Sequence, residues 1–203
     1  MGLYAKFILP RAIDSACGVE PAQRQRAKVV PKARGRVLEI GFGSGLNLPF
    51  YDAGKVEHIW ALEPSNEMWR LARERIDLST LSIEHVVANA ESIPLETACA
   101  DSVVITYTLC TVVDVTAALA EIRRVLRPDG ALIFCEHGAA PDAAVRKWQD
   151  RVNPLWKCIG GGCNLNRDIP GLLKSGGFVI RTLDTLYLPG WKPASFNYWG
   201  TAG

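Results

Sequence analysis

Short apolar runs alternate with stretches of helical periodicity along most of this chain, and this alternation constrains the fold more than any other feature. Turn residues such as Pro128-Asp129-Gly130 and Gly176-Gly177 precede two of the runs. Strands that alternate with helices form a mainly parallel sheet with helices on both faces. We therefore predict an α/β fold, with strands at 36–41, 57–63, 81–88, 101–108, 130–137 and 178–184.

Helices are expected between these strands. Ser65 can cap a helix at 66–76, because a serine hydroxyl accepts a hydrogen bond from a free backbone N–H of the first turn. Apolar residues at helical spacing predict further helices at 115–126 and 145–155. Asn166 can cap a short helix before the last predicted strand.

Three glycines follow the first predicted strand, in the segment VLEIGFGSGLN at 37–47. Parallel sheets bind ligands at the carboxyl ends of their strands, where this loop is expected to lie. The spacing Gly41-x-Gly43-x-Gly45 differs from the GxGxxG of dinucleotide sites, and Glu39 would repel a pyrophosphate beside it. An acid here favours a cationic ligand, such as an amine or a sulfonium. The alternative is a turn whose glycines serve only packing.

Two further loops carry polar residues at strand ends. Glu63 ends the second predicted strand, where a carboxylate can accept hydrogen bonds from both hydroxyls of a ribose. The alternative is an ordinary acid ahead of a helix cap. Asn89 follows the third strand, and its amide can both donate to and accept from an adenine edge. The alternative for Asn89 is a turn residue.

Length and charge narrow the class of protein. A chain of 203 residues suits a single domain, 1–203, in which segment 1–35 lies outside the sheet and is placed to cover the site. The formal net charge of +2 is too small to indicate nucleic-acid binding. Basic residues from Arg24 to Arg36 are interpreted as a solvated helix face and loop, and the alternative is a phosphate-binding patch. No stretch resembles a targeting signal or a membrane span, so a cytoplasmic protein is expected.

The six cysteines are widely spaced, and no two of them form a CxxC pair. Cys158 and Cys163 are separated by four residues, which is not a typical zinc spacing. Free thiols in a reducing compartment are therefore expected, and no metal site is predicted.

The segments VLEIGFGSG, ALEPS at 61–65, ANAESIP at 88–94 and RRVLRPDG at 123–130 together resemble the class I S-adenosylmethionine-dependent methyltransferases. The resemblance covers roughly 36–184 and implies a Rossmann-like, doubly wound, mainly parallel seven-stranded sheet with an antiparallel last strand. It also implies a core at 36–203, an N-terminal helical lid at 1–35, S-adenosyl-L-methionine as cofactor and S-adenosyl-L-homocysteine as product. The family often has an acid where Asn89 lies. The residues implied to bind the cofactor are Glu39, Gly41, Phe42, Gly43, Gly45, Asn47, Glu63, Pro64, Ser65, Met68, Asn89, Ala90, Glu91, Thr106 and Leu109.

A narrower resemblance rests on GSGLNLPFY, TLCTV, EIRRVLRPDGALIFCEH and WKCIGGGCNLNR. These segments are similar to the small-thiol S-methyltransferases of the mammalian methyltransferase-like group and their bacterial relatives. The similarity implies methylation of small or lipophilic thiols, including hydrogen sulfide. As a departure from the mammalian members, the chain is expected to lack their membrane-anchoring N-terminal segment. A monomer is expected. Two alternatives stay open: N-, C- or O-methylation of a quinone or phospholipid amine, and a non-catalytic module that binds the cofactor.

Candidate residues for the site that binds the methyl acceptor are chosen by their positions in the predicted fold. His137 is the one histidine of three at the carboxyl end of a predicted strand, so it is the candidate general base. The alternative is a histidine that only orders its loop. The candidate substrate-binding residues are Tyr4, Asp14, Cys110, Asn164 and Arg167.

Overall fold

The computed structural model describes residues 4–203, whose strands pair in one sheet with the order β3-β2-β1-β4-β5-β7-β6. Strands β1 to β5 are parallel, and β7 runs antiparallel between β5 and β6. The predicted α/β fold, with a mainly parallel seven-stranded sheet and an antiparallel last strand, is confirmed. The strands are β1 (Gly35–Ile40), β2 (Val56–Leu62), β3 (Ile83–Val86), β4 (Ala100–Thr106), β5 (Leu126–His137), β6 (Ile180–Tyr187) and β7 (Phe196–Ala202).

The helices lie between the strands as the alternation predicts. None of those formed by residues 4–203 combines the length and apolar character that crossing a bilayer requires. A π-helical turn (Tyr4–Ile8) precedes α1, and short 3-10 turns lie at Val30–Lys32 and Leu48–Phe50. The α-helices are α1 (Leu9–Cys17), α2 (Glu20–Val29), α3 (Asn66–Asp77), α4 (Val115–Val125), α5 (Ala143–Ile159), α6 (Ile169–Ser175) and α7 (Lys192–Ser195).

Of the two predicted helix caps, one is confirmed and the other is wrong. The Ser65 hydroxyl accepts a 3.2 Å hydrogen bond from the Met68 N–H and caps α3 as predicted. The predicted cap at Asn166 is wrong, because Asp168 caps α6 by accepting from the Gly171 N–H at 3.2 Å. The Asn166 amide instead donates to Asp150.

Strands β5 and β7 depart most from the predictions. Strand β5 begins at Leu126, ahead of the predicted turn, and its register against β4 advances irregularly from Leu126 to Ala131. The turn residues therefore form a bulge within the strand. Strand β7 was not located from the sequence, and its position depends on pairing with β5 and β6.

The core is divided into two layers by the sheet. Consecutive residues of β1 alternate between them, with Val37 in one layer and Leu38 and Ile40 in the other. Strand β2 repeats the pattern, since Ile59 shares the layer of Val37 and Trp60 shares that of Leu38. Apolar side chains on both faces hold the central strands rigid, so the loops at their carboxyl ends are firmly positioned.

Candidate active site

The loop after β1 needs glycine at particular positions. Gly41, Gly43 and Gly45 all have positive φ, at 67°, 60° and 78°, a region that other residues seldom adopt. A Cβ atom on Gly41 would lie 2.4 Å from the Thr108 side chain, whereas the nearest atom to a Cβ on Gly43 would be 3.4 Å away. Gly41 therefore serves packing, and Gly43 leaves the loop backbone accessible from the cavity beside it.

Glu63 connects this glycine loop to the start of α3. One carboxylate oxygen accepts from the Gly43 N–H at 2.8 Å, and the other accepts from the Ser65 N–H at 2.8 Å. Burial raises the pKa of the Glu63 carboxyl, although both backbone N–H groups act in the opposite direction. Each oxygen keeps a lone pair for a further donor, so Glu63 can serve the loop and a ligand together.

A buried polar network forms the base of the same region. The Glu39 carboxylate accepts from the Asn47 amide at 2.9 Å and from the Tyr51 hydroxyl at 2.7 Å. Burial raises the pKa of Glu39 to about 7, which the hydrogen bonds from Tyr51 and Asn47 only partly oppose. Glu39 therefore titrates near neutral pH.

Arg26 completes this network from outside the sheet. Its Nη1 donates to Asn47 Oδ1 at 2.8 Å and to Thr106 Oγ1 at 2.6 Å. The interpretation of the basic segment as a solvated face is wrong for Arg26, which is only 3% exposed, whereas Arg24 is exposed. A run of basic residues carries no signal that separates its one buried member from the others.

These groups surround a cavity of about 550 Å³, called here the glycine-loop cavity. Two predicted cofactor residues do not line it: Gly45 turns inward against Leu48 and Ala72, and Leu109 is fully buried. The predicted residues that do line it are Glu39, Gly41, Phe42, Gly43, Asn47, Glu63, Pro64, Ser65, Met68, Asn89, Ala90, Glu91 and Thr106.

The third loop closes one end of the glycine-loop cavity. Asn89 is exposed at its rim, while Ala90 is buried. The Glu91 carboxylate accepts from the N–H groups of Val113 and Asp114, at 3.1 and 3.2 Å. Glu91 therefore fastens this loop to the segment that precedes α4.

A second cavity of about 540 Å³, called here the apolar cavity, lies beside the first. Its walls are mostly apolar and aromatic, and the predicted residues Tyr4, Cys110 and His137 line it. The two cavities share five lining residues, which are Leu9, Ile13, Cys17, Tyr107 and Thr111. A molecule in one cavity is thus adjacent to a molecule in the other.

Tyr107 lies between the cavities in a strained backbone conformation. Its φ is 53°, which is costly for an aromatic residue, and such strain is concentrated at functional sites. The hydroxyl donates to Asn197 at 2.8 Å, and the Arg26 guanidinium lies 5.0 Å from the ring centroid. This conformation could not be predicted, since nothing in the segment TYT at 106–108 distinguishes a left-handed tyrosine.

His137 lies in the apolar cavity beside two cysteines. Its Nε2 is 3.2 Å from Cys163 Sγ, and ligand atoms of Cys110, His137 and Cys163 all lie within 4.8 Å of one another. Hydrogen bonding from Cys110, together with that from His137, outweighs burial and lowers the pKa of the Cys163 thiol. All six cysteines are free, as expected, but their spacing did not predict that two of them meet at His137.

The remaining substrate candidates lie elsewhere. Asn164 and Arg167 line neither cavity. The Asn164 amide donates to the Cys110 carbonyl at 2.8 Å, and Arg167 donates to the carbonyls of Leu109 and Val112. Both therefore support the loop after β4. Asp14 lines the glycine-loop cavity, where it accepts from the Ser44 hydroxyl at 2.6 Å.

Comparison with known proteins agrees with this geometry. Residues 38–134 match the model of a methyltransferase domain family. Thiol S-methyltransferase TMT1A from Homo sapiens is 31% identical over 85% of this chain and 72% of its own length. Human thiol S-methyltransferase TMT1B is 39% identical over 67% of this chain, but the match spans only 57% of that relative's length. A SAM-dependent methyltransferase from Thermotoga maritima has the same fold, with a TM-score of 0.67 at 21% identity over 98% of this chain and 96% of that one.

The chain belongs to the class I S-adenosylmethionine-dependent methyltransferases. Within that class it is similar to the thiol S-methyltransferases TMT1A and TMT1B. The cofactor is S-adenosylmethionine. The residues of the glycine-loop cavity fit it, because the cavity offers a buried acid to a cationic ligand and a second acid with free lone pairs to a diol.

Proposed function

We propose that this protein transfers the methyl group of S-adenosylmethionine to the sulfur of a small or lipophilic thiol. The observation that carries the proposal is the apolar cavity, which adjoins the glycine-loop cavity and contains His137, Cys110 and Cys163. Apolar walls with a few polar groups are typical of sites for lipophilic small molecules. The similarity to TMT1A and TMT1B supports the same acceptor class.

The cofactor site is proposed to use both acids of the glycine-loop cavity. Glu63 accepts from the ribose hydroxyls while it holds Gly43 and Ser65. Glu39, held in place by hydrogen bonds from Asn47 and Tyr51, provides a negative charge near the cationic end of the ligand. Asn89 at the rim is the proposed contact for the adenine edge.

When bound, S-adenosylmethionine supplies an electrophilic methyl group on a good leaving group. The task of the chain is then to align the acceptor with that methyl, which is catalysis by proximity. Tyr107 and Thr111, shared by both cavities, are the proposed walls of the passage between acceptor and methyl. The acceptor thiol must also lose its proton. His137 is the residue proposed to assist that step, either as the general base or together with the neighbouring Cys110 and Cys163.

The experiment is a panel of acceptors of similar size, with release of S-adenosylhomocysteine as the readout. Lipophilic thiols, small thiols, amines, phenols and quinols are compared. The proposal requires that thiols are methylated fastest. Turnover of an amine or quinol without any thiol would show an N-, C- or O-methyltransferase instead, and cofactor binding without turnover would support a non-catalytic module. Cytoplasmic location, a monomeric state and a lid formed by 1–35 stay predictions.

A further inference from the structure

We propose that Cys110, His137 and Cys163 form a binding site for a thiophilic divalent cation, zinc above all, with one coordination position open to the apolar cavity. The second half of the inference, that this position takes the sulfur of the acceptor, rests on the proposed function. The first half rests only on the positions of the three side chains.

The three donors come from separate parts of the fold. Cys110 lies in the loop after β4, His137 is the last residue of β5, and Cys163 follows α5. Their donor atoms lie within 4.8 Å of one another, and the Sγ of Cys163 is 3.2 Å from Nε2 of His137. Sequence spacing did not reveal the cluster, because only the sheet topology brings these segments together.

The distances suit tetrahedral zinc. Zinc–sulfur bonds of about 2.3 Å and zinc–nitrogen bonds of about 2.0 Å place two sulfurs about 3.8 Å apart, and a sulfur about 3.5 Å from a nitrogen. The Cys163–His137 separation of 3.2 Å therefore has to widen by only a few tenths of an ångström. The separations that involve Cys110 are at most 4.8 Å, so they have to shorten by about 1 Å at most to reach the tetrahedral values.

The backbone around the cluster is already fixed. Asn164 donates to the Cys110 carbonyl from both its backbone N–H, at 2.9 Å, and its side-chain amide, at 2.8 Å. This pair of bonds holds the Cys110 loop against the Cys163 loop. Supporting contacts of this kind orient ligands before a metal binds, and so lower the entropy lost on binding.

Donor number and charge point to an open site. Structural zinc usually has four protein ligands, whereas catalytic zinc keeps three and leaves a position for water or substrate. Two thiolates, one neutral imidazole and a zinc ion sum to zero charge, which is compatible with the apolar walls around them. All three donors line the apolar cavity, so the fourth position faces the proposed acceptor.

The open position would activate a thiol without a strong base. A metal-bound thiol is deprotonated, and the proton passes to solvent. The electron pair of the resulting thiolate forms the new sulfur–carbon bond, while the electrons of the methyl–sulfonium bond return to the cofactor sulfur. The product thioether is a neutral, weak ligand and leaves the metal.

The test uses the full chain, freed of metal with a chelator under reducing conditions and then titrated with Zn²⁺ or Co²⁺. We expect one ion per chain, with the thiolate-to-cobalt charge-transfer absorption and the intense visible bands of tetrahedral cobalt. Cys110→Ser, Cys163→Ser and His137→Gln should each weaken zinc binding by more than the roughly 10–100-fold that loss of a supporting group costs. Cys158→Ser is the matched control, because that cysteine is exposed and outside the cluster, and it should bind zinc like the native chain.

Folding is checked through S-adenosylhomocysteine binding, which each variant should retain. Wild-type protein that binds no ion, or a Cys110→Ser/Cys163→Ser double variant that binds zinc as tightly as the native chain, overturns the site. Equal thiol methylation by metal-free and zinc-loaded protein overturns the activating role alone. Tight zinc binding without any thiol turnover leaves the site intact and refutes the proposed acceptor, so the two proposals fail separately.

Discussion

The guanidinium of Arg26 donates to the carboxamide oxygen of Asn47 at 2.8 Å, and the amide nitrogen of Asn47 donates in turn to Glu39 at 2.9 Å. A helix outside the sheet is thereby joined to the acid that precedes the glycine loop. The relation explains how a buried carboxylate is kept next to a cation without a direct ion pair. It also makes the geometry of the cofactor site depend on α2.

The first prediction concerns Arg26 itself. Arg26→Met removes two hydrogen bonds with a charged donor, each worth about 1.5–3 kcal/mol. We expect affinity for S-adenosylhomocysteine, measured by calorimetry, to fall at least about tenfold. Arg24→Met on the same helix is the control, since Arg24 is exposed and pairs only with Glu20 in the structure described. Equal affinities in the two variants would show that the network does not shape the site.

The second prediction is a pH dependence of cofactor binding. Because burial raises the pKa of Glu39 to about 7, the carboxyl is increasingly protonated as the pH falls below 7. A cationic ligand prefers the ionised form, so affinity should fall toward acid pH, by up to about tenfold per pH unit. Calorimetry between pH 6 and 8 tests this. Glu39→Gln should flatten the profile, and a Gln variant with the native slope would assign the titration to another group.

The same shift predicts a change in the stability of the ligand-free protein. The folded-state pKa of Glu39, about 7, lies above its ordinary value of 4.5, so the native state binds the proton more tightly. The contribution of Glu39 is therefore fully present below pH 4.5 and is lost as the pH rises through 7. Denaturant unfolding should show that the free energy of unfolding of the native chain declines relative to that of Glu39→Gln across this window. A constant difference between the two proteins contradicts the prediction.

The third prediction concerns Glu63. Glu63→Ala should lower cofactor affinity at least about tenfold, because charge-assisted bonds of about 1.5–3 kcal/mol each are lost. The variant also frees the N–H groups of Gly43 and Ser65, so loss of affinity alone does not prove contact with the ribose. An S-adenosylhomocysteine analogue without the 3′-hydroxyl separates the two effects. Removing that hydroxyl should weaken binding to the native chain and have little effect on Glu63→Ala.

The fourth prediction concerns the proton of the acceptor. With thiols of graded acidity, the methylation rate should rise with pH as each thiol ionises and then level off. His137→Ala should lower the rate by about 10²-fold or more for weakly acidic thiols, since handling of a proton typically contributes about 10²–10⁴. The loss should shrink for thiols already ionised at the assay pH. A uniform loss across the series would assign His137 to positioning.

Most of the sheet could be predicted because its strands are buried. Apolar runs such as DSVVITYT mark β4, whose side chains pack into both core layers. Strand β7 has the sequence FNYWGTA, which lacks a comparable run and becomes a strand through its pairing with β5 and β6. Pairing between distant segments is not encoded in local periodicity.

Some residues of the candidate site could likewise be predicted from local sequence, and others could not. The glycine loop and Glu63 could be found because they follow strands within a short, continuous segment. Arg26, Tyr107 and the meeting of Cys110 with Cys163 could not, because each depends on where the topology places a residue relative to distant ones. Asn164 and Arg167, named as candidate substrate-binding residues, line neither cavity and hydrogen-bond to the loop after β4.

Helix α1 gives Leu9, Ile13 and Cys17 to the walls of both cavities. This one helix would therefore contact a ligand in either cavity. If the first ligand to bind fixes the position of α1, the second ligand binds without the free-energy cost of ordering that helix. By thermodynamic linkage, each ligand then raises the affinity for the other by the same factor. Saturation with S-adenosylhomocysteine should therefore raise the affinity for an unreactive acceptor analogue. Saturation with the analogue should raise the affinity for S-adenosylhomocysteine by the same factor.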